Sequence, residues 1–266
     1  MKTFQDIIYS YYKRAGKDFP FRRDINPYKV LISEIMLQQT QTSRVAVKFL
    51  EFIKKFPNLN ELANAQTNEI LEVWQGLGYN RRAIALKKIA EMIIDNYDGK
   101  LPEDINILKS FPQIGHNTAS SIIAFAFNRP TYFVETNIRR VYIYFFFQDK
   151  KLVSDKEILE LVKETLDLSN PREWYYALMD YGAKLKKSHP ELNKKSTHYR
   201  KQPNFKGSNR EIRGKVLKVV LKEKTVDETE ILKAVDSDPD KIRDVLNTLK
   251  GEGFIKKEDQ NYSISD

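Results

Sequence analysis

The chain has 266 residues, enough for one large domain or two smaller ones with separate cores. Lys and Arg number 45 against 36 Asp and Glu, and the formal net charge of +9 favours a polyanionic partner such as nucleic acid, although a basic protein without such a partner can have the same balance. The absence of cysteine excludes disulfides, thiolate nucleophiles and iron–sulfur clusters with four thiolate ligands. No apolar run reaches membrane-spanning length, so we expect a cytoplasmic protein.

The N-terminal part of the sequence predicts helices separated by a loop. Phe4 to Arg14 has apolar residues at helical spacing and should pack on the main body. The next stretch, DFPFRRDINPYKV, contains Pro20 and Pro27, which disfavour helix, and it predicts a loop that could reach a ligand. Residues 28–50 predict one long helix or two abutting helices.

An acidic residue interrupts the apolar face of this helical segment. Glu34 lies among Leu31, Ile35 and Leu37. A carboxylate in apolar surroundings costs free energy unless it is paired or used. The pattern therefore indicates either a functional carboxylate or a helix-face acid paired with some Lys or Arg.

The middle of the chain continues in helical pattern. Residues 58–71 combine helix-start chemistry with a 3.6-residue period, and Gly76 and Gly78 should end that unit. Residues 81–97 predict a second amphipathic helix. Because strict two-residue alternation is nearly absent, everything up to about Leu185 predicts an all-α domain.

Two helical patterns meet at a tight Phe-Pro-Gln-Ile-Gly turn within residues 108–140. Gly115 is expected to take a positive φ there. The turn would present the backbone N–H groups of His116, Asn117 and Thr118 as the first turn of a helix, and such a turn can bind a phosphate oxygen. Glu135 follows at the start of another helix. An ordinary helical hairpin with a glycine cap would have the same pattern.

The composition changes towards the C-terminus. Residues 187–209 are polar and basic and predict a linker or an extended surface segment. Residues 210–266 predict three short helices and then, in GEGFIKKEDQNYSIS, a β-hairpin, which is the element order of a winged-helix domain. The predicted organisation is a helical domain at 1–186, a linker at 187–209 and a winged-helix-like domain at 210–266.

Five motifs carry a resemblance to a known family. SEIMLQQTQ, GLGY, FPQIGHNTA, VETNIRR and ALMDYGA occur in the order and at the spacings of adenine DNA glycosylases, which belong to the helix-hairpin-helix superfamily. The resemblance covers roughly residues 18–186, and SEIMLQQTQ is its most specific piece because Glu34 distinguishes the adenine branch. It implies a mainly α, two-lobed glycosylase fold. It also implies removal of adenine opposite 8-oxoguanine or guanine by N-glycosidic hydrolysis after base flipping.

The resemblance implies catalytic roles for four residues. Glu34 would be the general acid that protonates the purine, its pKa raised by apolar neighbours. Glu135 stands where the family has an aspartate, and it would stabilise the sugar cation or serve only as a helix-start residue. Asn137 would hydrogen-bond near the sugar or Glu135. Asn117 occupies the position of the Schiff-base lysine of bifunctional relatives, so lyase activity is not expected.

The resemblance also implies DNA contacts. Gln39 and Tyr79, with Thr40 nearby, match residues that wedge into the duplex beside the opposite base, and Arg22 matches a residue that touches the flipped base. A solvated glutamine, a core tyrosine and a surface arginine are the alternatives. The remaining DNA-binding residues predicted in this way are Gln38, Gln113, Gly115, His116, Thr118 and Arg139.

Two departures from the family limit the resemblance. The usual four-cysteine cluster would follow GAKL, where the chain instead has Lys186, Asn193, Ser196 and Gln202. We therefore expect no cofactor, although the hairpin could hold a structural cation. The α/β domain that recognises 8-oxoguanine in typical members is not visible either, so the opposite base stays open.

The expected partner is double-stranded DNA with a mismatched or damaged base, bound by a monomeric, nucleoid-associated protein. Two alternatives remain. A thymine or uracil mismatch glycosylase would share the hairpin scaffold, although Glu34 argues against it. A DNA-binding protein that has lost catalysis is suggested by Glu135 and by the winged-helix pattern.

Overall fold

The computed structural model describes residues 2–201 and 204–265. Contacts divide the chain into two compact units, and each unit is assembled from two stretches. The first unit comprises Met1–Ile35 with Leu101–Lys201, and the second comprises Met36–Lys100 with Gln202–Asp266. The contacts group discontinuous stretches of the chain. They therefore do not test the continuous domain boundaries predicted from the sequence, which stay a prediction. Within the described part of the chain, no helix combines the length and the apolar character that a membrane span requires.

The first unit is helical. Its core joins the helices Lys2–Ala15, Thr136–Phe146 and Pro171–Ser188, with Phe4 and Ile8 packed among Tyr142, Trp174 and Tyr175. A 3₁₀ turn follows at Leu192–Lys195. The helices are α1 (Lys2–Ala15), α2 (Pro20–Arg23), α3 (Pro27–Leu37, which begins in this unit), α8 (Ile105–Ser110), α9 (His116–Phe127), α10 (Thr136–Phe146), α11 (Asp155–Thr165) and α12 (Pro171–Ser188).

The second unit contains four helices from the middle of the chain and the C-terminal segment. The strands β1 (Thr225–Asp227), β2 (Ile255–Glu258) and β3 (Asn261–Ile264) form an antiparallel sheet in the order β1-β3-β2, with Val226 opposite Tyr262. The predicted three helices and hairpin are confirmed, whereas the three-residue β1 was missed. The elements are α4 (Thr42–Lys55), α5 (Leu59–Asn64), α6 (Thr67–Trp74), α7 (Arg81–Tyr97), α13 (Asn209–Glu223), β1 (Thr225–Asp227), α14 (Glu228–Ala234), α15 (Pro239–Gly251), β2 (Ile255–Glu258) and β3 (Asn261–Ile264).

Two local predictions are wrong for identifiable reasons. Pro20 and Pro27 do not keep their stretch out of helix, because each occupies the first position of a helix, where its missing N–H is not needed. The single helix predicted over 58–71 is two helices, and Gln66 caps the second of them. Two abutting helices, the second of the alternatives for residues 28–50, are confirmed as α3 and α4.

Candidate active site

Glu34 lies in the middle of α3 and is half-buried between the buried residues Leu31 and Ile35. Its carboxylate Oε2 accepts a hydrogen bond from the hydroxyl of Ser121 on α9 at 2.5 Å. Burial raises the pKa of Glu34 to about 7, with a smaller contribution from the nearby Glu135 and against the opposing effects of the Ser121 bond and the charge of Arg22. The alternative of a helix-face acid paired with Lys or Arg is not what the structure shows, because the hydrogen bond to the Glu34 carboxylate comes from a hydroxyl.

Glu135 is the N-cap of α10. Its Oε1 accepts from the backbone N–H groups of Asn137 (2.8 Å) and Ile138 (3.0 Å), and its Oε2 lies 3.4 Å from Asn137 Nδ2. Burial raises the pKa of Glu135, while the two N–H donors and the charges of Arg139 and Arg140 act against that rise. The helix-start role is therefore confirmed, and it fixes the carboxylate in one orientation.

Asn137 belongs to a network that the sequence did not reveal. Its side-chain oxygen accepts from Arg140 Nη1 at 2.9 Å, and the same nitrogen donates to the carbonyl oxygen of Gly182 on α12 at 2.8 Å. A Cβ atom on Gly182 would lie 2.3 Å from the Asn137 carbonyl oxygen. Only glycine lets α12 approach the first turn of α10 this closely. An isolated glycine inside a helical pattern was the available signal.

The hairpin between α8 and α9 corrects one expectation. Gly115 is the N-cap of α9 with φ −90° and ψ 179°, which is ordinary extended backbone, and the positive φ of 63° belongs to Gln113 instead. A Cβ atom on Gly115 would meet no described atom within 4 Å. A residue with a side chain can therefore adopt this conformation, and the position is open for close approach of a ligand.

Hydrogen bonds tie this hairpin to the segment that leads into Glu135. Asn117 Nδ2 donates to the carbonyl oxygen of Val134 at 2.8 Å, and His116 Nε2 lies 3.2 Å from the carbonyl oxygen of Tyr132. The carbonyl oxygen of Thr118 lies 3.0 Å from the Ser121 hydroxyl that bonds Glu34. The start of α9 thus contacts the surroundings of both carboxylates.

Arg22 is mostly buried, so the surface-arginine alternative is wrong. Its Nη1 donates to Asp180 Oδ2 at 3.0 Å, and the two side chains are 9% and 3% exposed. The guanidinium also lies over the ring of Tyr176, 4.3 Å from its centroid. Asp180 additionally accepts from the backbone N–H of Lys17 at 2.8 Å. Asp180 received no role from the sequence, although it stands in the ALMDYGA motif.

In the second unit, the two residues predicted to wedge into a duplex have left-handed backbone. Gln39 has φ 54° and Tyr79 has φ 48°, and both are exposed, so Tyr79 is not a core residue. Non-glycine residues in this region are uncommon and often mark functional turns. The buried Arg82 links the two turns by donating to the carbonyl oxygens of Met36, Gln38, Leu77 and Gly78 and to the hydroxyl of Thr40.

Arg139 makes a bidentate ion pair with Asp155, with both N–O distances at 2.7 Å. This pairing favours a structural role for Arg139, and its predicted contact with DNA stays a prediction.

The segment after α12 does not fit a thiolate-ligated cluster, because the chain has no cysteine. Instead, Val153 donates to the carbonyl oxygen of Lys195 at 2.8 Å and accepts from the N–H of Thr197 at 3.0 Å. Lys195 Nζ donates to the carbonyl oxygen of Gln148 at 2.6 Å. These hydrogen bonds connect the segment to the stretch that precedes α11. Gln202, one of the four positions compared with the cluster ligands, lies outside the described residues.

The chain is similar to known proteins. Residues 32–167 match the family described as HhH-GPD superfamily base excision DNA repair protein. The adenine DNA glycosylase of Buchnera aphidicola subsp. Baizongia pistaciae is 35% identical over 195 residues, which cover 71% of this chain and 55% of that protein. The chain thus spans about half the length of the adenine glycosylases it matches.

Proteins named for another base also match. The thymine/uracil-DNA glycosylase of Pyrobaculum aerophilum is 29% identical over 189 residues, which cover 68% of this chain and 82% of that protein. The solved structure of a thermostable thymine-DNA glycosylase has a TM-score of 0.61 at 26% identity and covers 68% of this chain and 85% of that one.

Proposed function

The chain belongs to the HhH-GPD superfamily of base excision DNA repair proteins, and from this premise we propose that it is a monofunctional DNA glycosylase. Its substrate would be double-stranded DNA that carries adenine opposite guanine or 8-oxoguanine. The enzyme would flip the adenine out of the duplex and hydrolyse its N-glycosidic bond. The relatives named adenine DNA glycosylase support the choice of base.

The observation that carries this proposal is the pair of carboxylates in unlike environments. Glu34 has a pKa of about 7 and a hydroxyl partner, so a large fraction carries a proton near neutral pH. Glu135 accepts two backbone N–H bonds at a helix N-terminus, which favour its charged form. One carboxylate is therefore suited to donate a proton and the other to face a cation.

A mechanism follows from these roles. Glu34 donates its proton to the purine, and the bond between C1′ of the sugar and the base nitrogen breaks with its electron pair going to the base. The Glu135 carboxylate stabilises the oxocarbenium ion that remains. Water then adds to C1′, and its proton returns to a carboxylate. Asn117 has no amine for a Schiff base, so the product would be an intact abasic strand.

Thymine or uracil opposite guanine is the second candidate, because relatives with those names match over most of their length. Glu34 distinguishes the two candidates. A purine is a better leaving group once a ring nitrogen is protonated, whereas thymine and uracil can leave as stabilised anions. A proton donor of this pKa therefore favours adenine.

A nicking assay tests the proposal. Duplexes with adenine opposite guanine or 8-oxoguanine, and with thymine or uracil opposite guanine, are incubated with the protein and then divided with and without alkali. We expect strand breaks at adenine after alkali only, and at least a 100-fold loss in Glu34→Gln, since a general acid contributes about 10²–10⁴-fold. Breaks mainly at thymine or uracil would favour the second candidate. Binding without any breaks would identify a non-catalytic DNA-binding protein.

A further inference from the structure

Two adjacent arginines hold the turn of residues 75–80, which connects α6 to α7 and carries Tyr79. Arg82 is buried and donates to two backbone carbonyl oxygens within this turn. Arg81, the first residue of α7, instead donates from Nη2 to the carboxylate of Glu252, which follows α15. The turn is therefore tied to itself through Arg82 and to a part of the chain that is distant in sequence through Arg81.

The C-terminal segment, residues 209–265, fixes the position of Glu252. The second carboxylate oxygen of Glu252 accepts from Arg213 Nη2 of α13, and the Glu252 side chain is 17% exposed. The Arg213 guanidinium lies over the ring of the buried Phe254, 4.7 Å from its centroid. Arg81 and then Arg213 lower the pKa of Glu252, so its carboxylate is charged at neutral pH. Arg81 is thus bonded to an acceptor that the segment itself holds in place.

The first helix of the same segment also meets the turn. Arg210 of α13 donates from Nη1 to the Tyr79 hydroxyl at 3.2 Å, and α13 packs against α6. The buried Trp74 at the end of α6 donates from its indole nitrogen to the carbonyl oxygen of Gly78 at 3.1 Å. The C-terminal segment therefore contacts the Tyr79 side chain and both of the helices that flank the turn.

The backbone of this turn depends on such contacts. Tyr79 has φ 48°, a left-handed conformation that costs free energy in a residue with a side chain and persists where the surroundings determine it. Gly76 and Gly78, with φ 89° and 71°, add conformational freedom to the same turn. Contacts from outside the turn therefore select one of the conformations that it can take.

The charges of the C-terminal segment do not favour a direct grip on a duplex. Glu211 lies in the first turn of α13, and Asp240 and Asp244 are exposed on α15, the helix that enters the major groove in a helix-turn-helix protein. Carboxylates at these places oppose the approach of phosphates. The contacts of the segment with the turn are therefore the feature that needs a functional explanation.

We propose that the C-terminal segment is a positioning element, which holds the Tyr79 turn through Glu252 and Arg81 in the conformation that enters the duplex. The proposal rests on the duplex binding and base flipping of the proposed function. A turn that is already ordered in the free protein spends less of the binding free energy on its own ordering. Glu252 acts through Arg81, so it is a positioning residue and not a catalytic one.

The test follows unstacking of the duplex beside Tyr79. The duplex carries adenine opposite guanine, with 2-aminopurine next to that guanine, because the fluorescence of this base analogue rises when it is unstacked. All proteins are full length and carry Glu34→Gln so that the adenine stays in place. The parent should raise the fluorescence, and Tyr79→Ala should remove the rise. Glu252→Gln should lower the equilibrium constant for unstacking in the saturated complex about fivefold, which corresponds to an exposed ion pair of about 1 kcal/mol.

Two comparisons separate positioning from charge and from stability. Asp244→Asn removes the same charge from an exposed carboxylate of α15 and should leave unstacking unchanged. Arg81→Gln should reproduce the effect of Glu252→Gln, and the double variant should lose no more than either single variant, because both remove the same bond. Denaturant titrations accompany these measurements, since a merely structural role would lower the free energy of unfolding without changing the unstacking in the complex.

Three results would each overturn the proposal: unstacking in Glu252→Gln equal to that in the parent, an equal loss in Asp244→Asn, or additive losses in the double variant. A parent that binds the duplex without raising the fluorescence would overturn it as well. Base release by the protein with Glu34 in place is measured separately. Its absence would refute the proposed function, whereas the fluorescence would still decide whether Glu252 positions the turn.

Discussion

The proton on Glu34 makes the pH dependence of base release a sharp test. If only the protonated acid is active, the single-turnover rate follows its protonated fraction. A pKa of about 7 gives a plateau below about pH 6, half of the plateau near pH 7, and about a tenth of it at pH 8. The rate should then fall about tenfold for each further pH unit.

The Ser121 hydroxyl supplies the perturbation. Its bond to Glu34 favours the charged carboxylate, so Ser121→Ala should raise the pKa of Glu34 and move the profile to higher pH. A hydrogen bond to a charged group contributes about 1.5–3 kcal/mol, which corresponds to about one to two pKa units. With a shift of about one unit, the variant at pH 8 should retain about half of its own plateau, about fivefold more than the parent.

Rates are measured as single-turnover base release from pH 5.5 to 9, in about half-unit steps, because product release then does not limit the signal. Ser120→Ala is the matched control, because Ser120 is also buried on α9. Its hydrogen bond from Thr131 is accepted by the backbone carbonyl oxygen, which the substitution leaves in place. Its profile should coincide with that of the parent. A flat parent profile, or a Ser121→Ala profile that does not move to higher pH than the Ser120→Ala profile, would refute the assignment of Glu34 as the acid.

Four other substitutions test the same structure. Glu34→Gln should raise the free energy of unfolding at pH 8 by up to about 3 kcal/mol in denaturant titrations. The raised pKa of Glu34 contributes stability below the pKa of the unfolded state, and this stability is lost as the pH rises through about 7. Equal free energies of unfolding for the variant and the parent at pH 8 would contradict this. Glu135→Gln should abolish base release and retain duplex affinity, and base release at the parental single-turnover rate would assign the cation to another group. Gly115→Val should leave the unfolding free energy within about 0.5 kcal/mol and weaken binding to every duplex alike, and a loss confined to one lesion would assign the hairpin to base recognition instead. Gly182→Ala should lower the free energy of unfolding by about 1–3 kcal/mol in thermal unfolding and slow base release by displacing Asn137. A variant in which both properties are unchanged would show that the close approach of α12 to α10 is dispensable.

Local chemistry explains which elements could be predicted from the sequence. The helix over 81–97 was predicted at its observed bounds because its period is regular and Asp98 and Gly99 end it with left-handed backbone. The prolines at 20 and 27 were misread because the same residue breaks a helix in its interior and favours one at its first position. Sequence alone does not say which position a proline will take.

The candidate site also has features that the sequence could predict and features that it could not. The unusual surroundings of Glu34 could be predicted because its apolar neighbours are adjacent in sequence. Ser121 could not, since it is 87 residues away and its hydroxyl reaches Glu34 only after α3 and α9 pack. Asp180 lies 158 residues from Arg22, and no local pattern links an acid to one arginine over that distance. Local patterns give the residue type and its helix, whereas long-range packing determines its partner.

The two glutamates show why partners decide the chemistry. Both are partly removed from water, and this burial raises the pKa of each carboxyl group. Glu34 is in the middle of a helix, where the backbone N–H groups are already bonded within the helix, so its described partner is a single hydroxyl. Glu135 is at a helix start, where N–H groups have no acceptor within the helix and its carboxylate takes two of them. This capping geometry holds the Glu135 carboxyl group beside Asn137. The position of each glutamate along its helix therefore determines which partners its carboxyl group meets, a hydroxyl for Glu34 and two backbone N–H groups for Glu135.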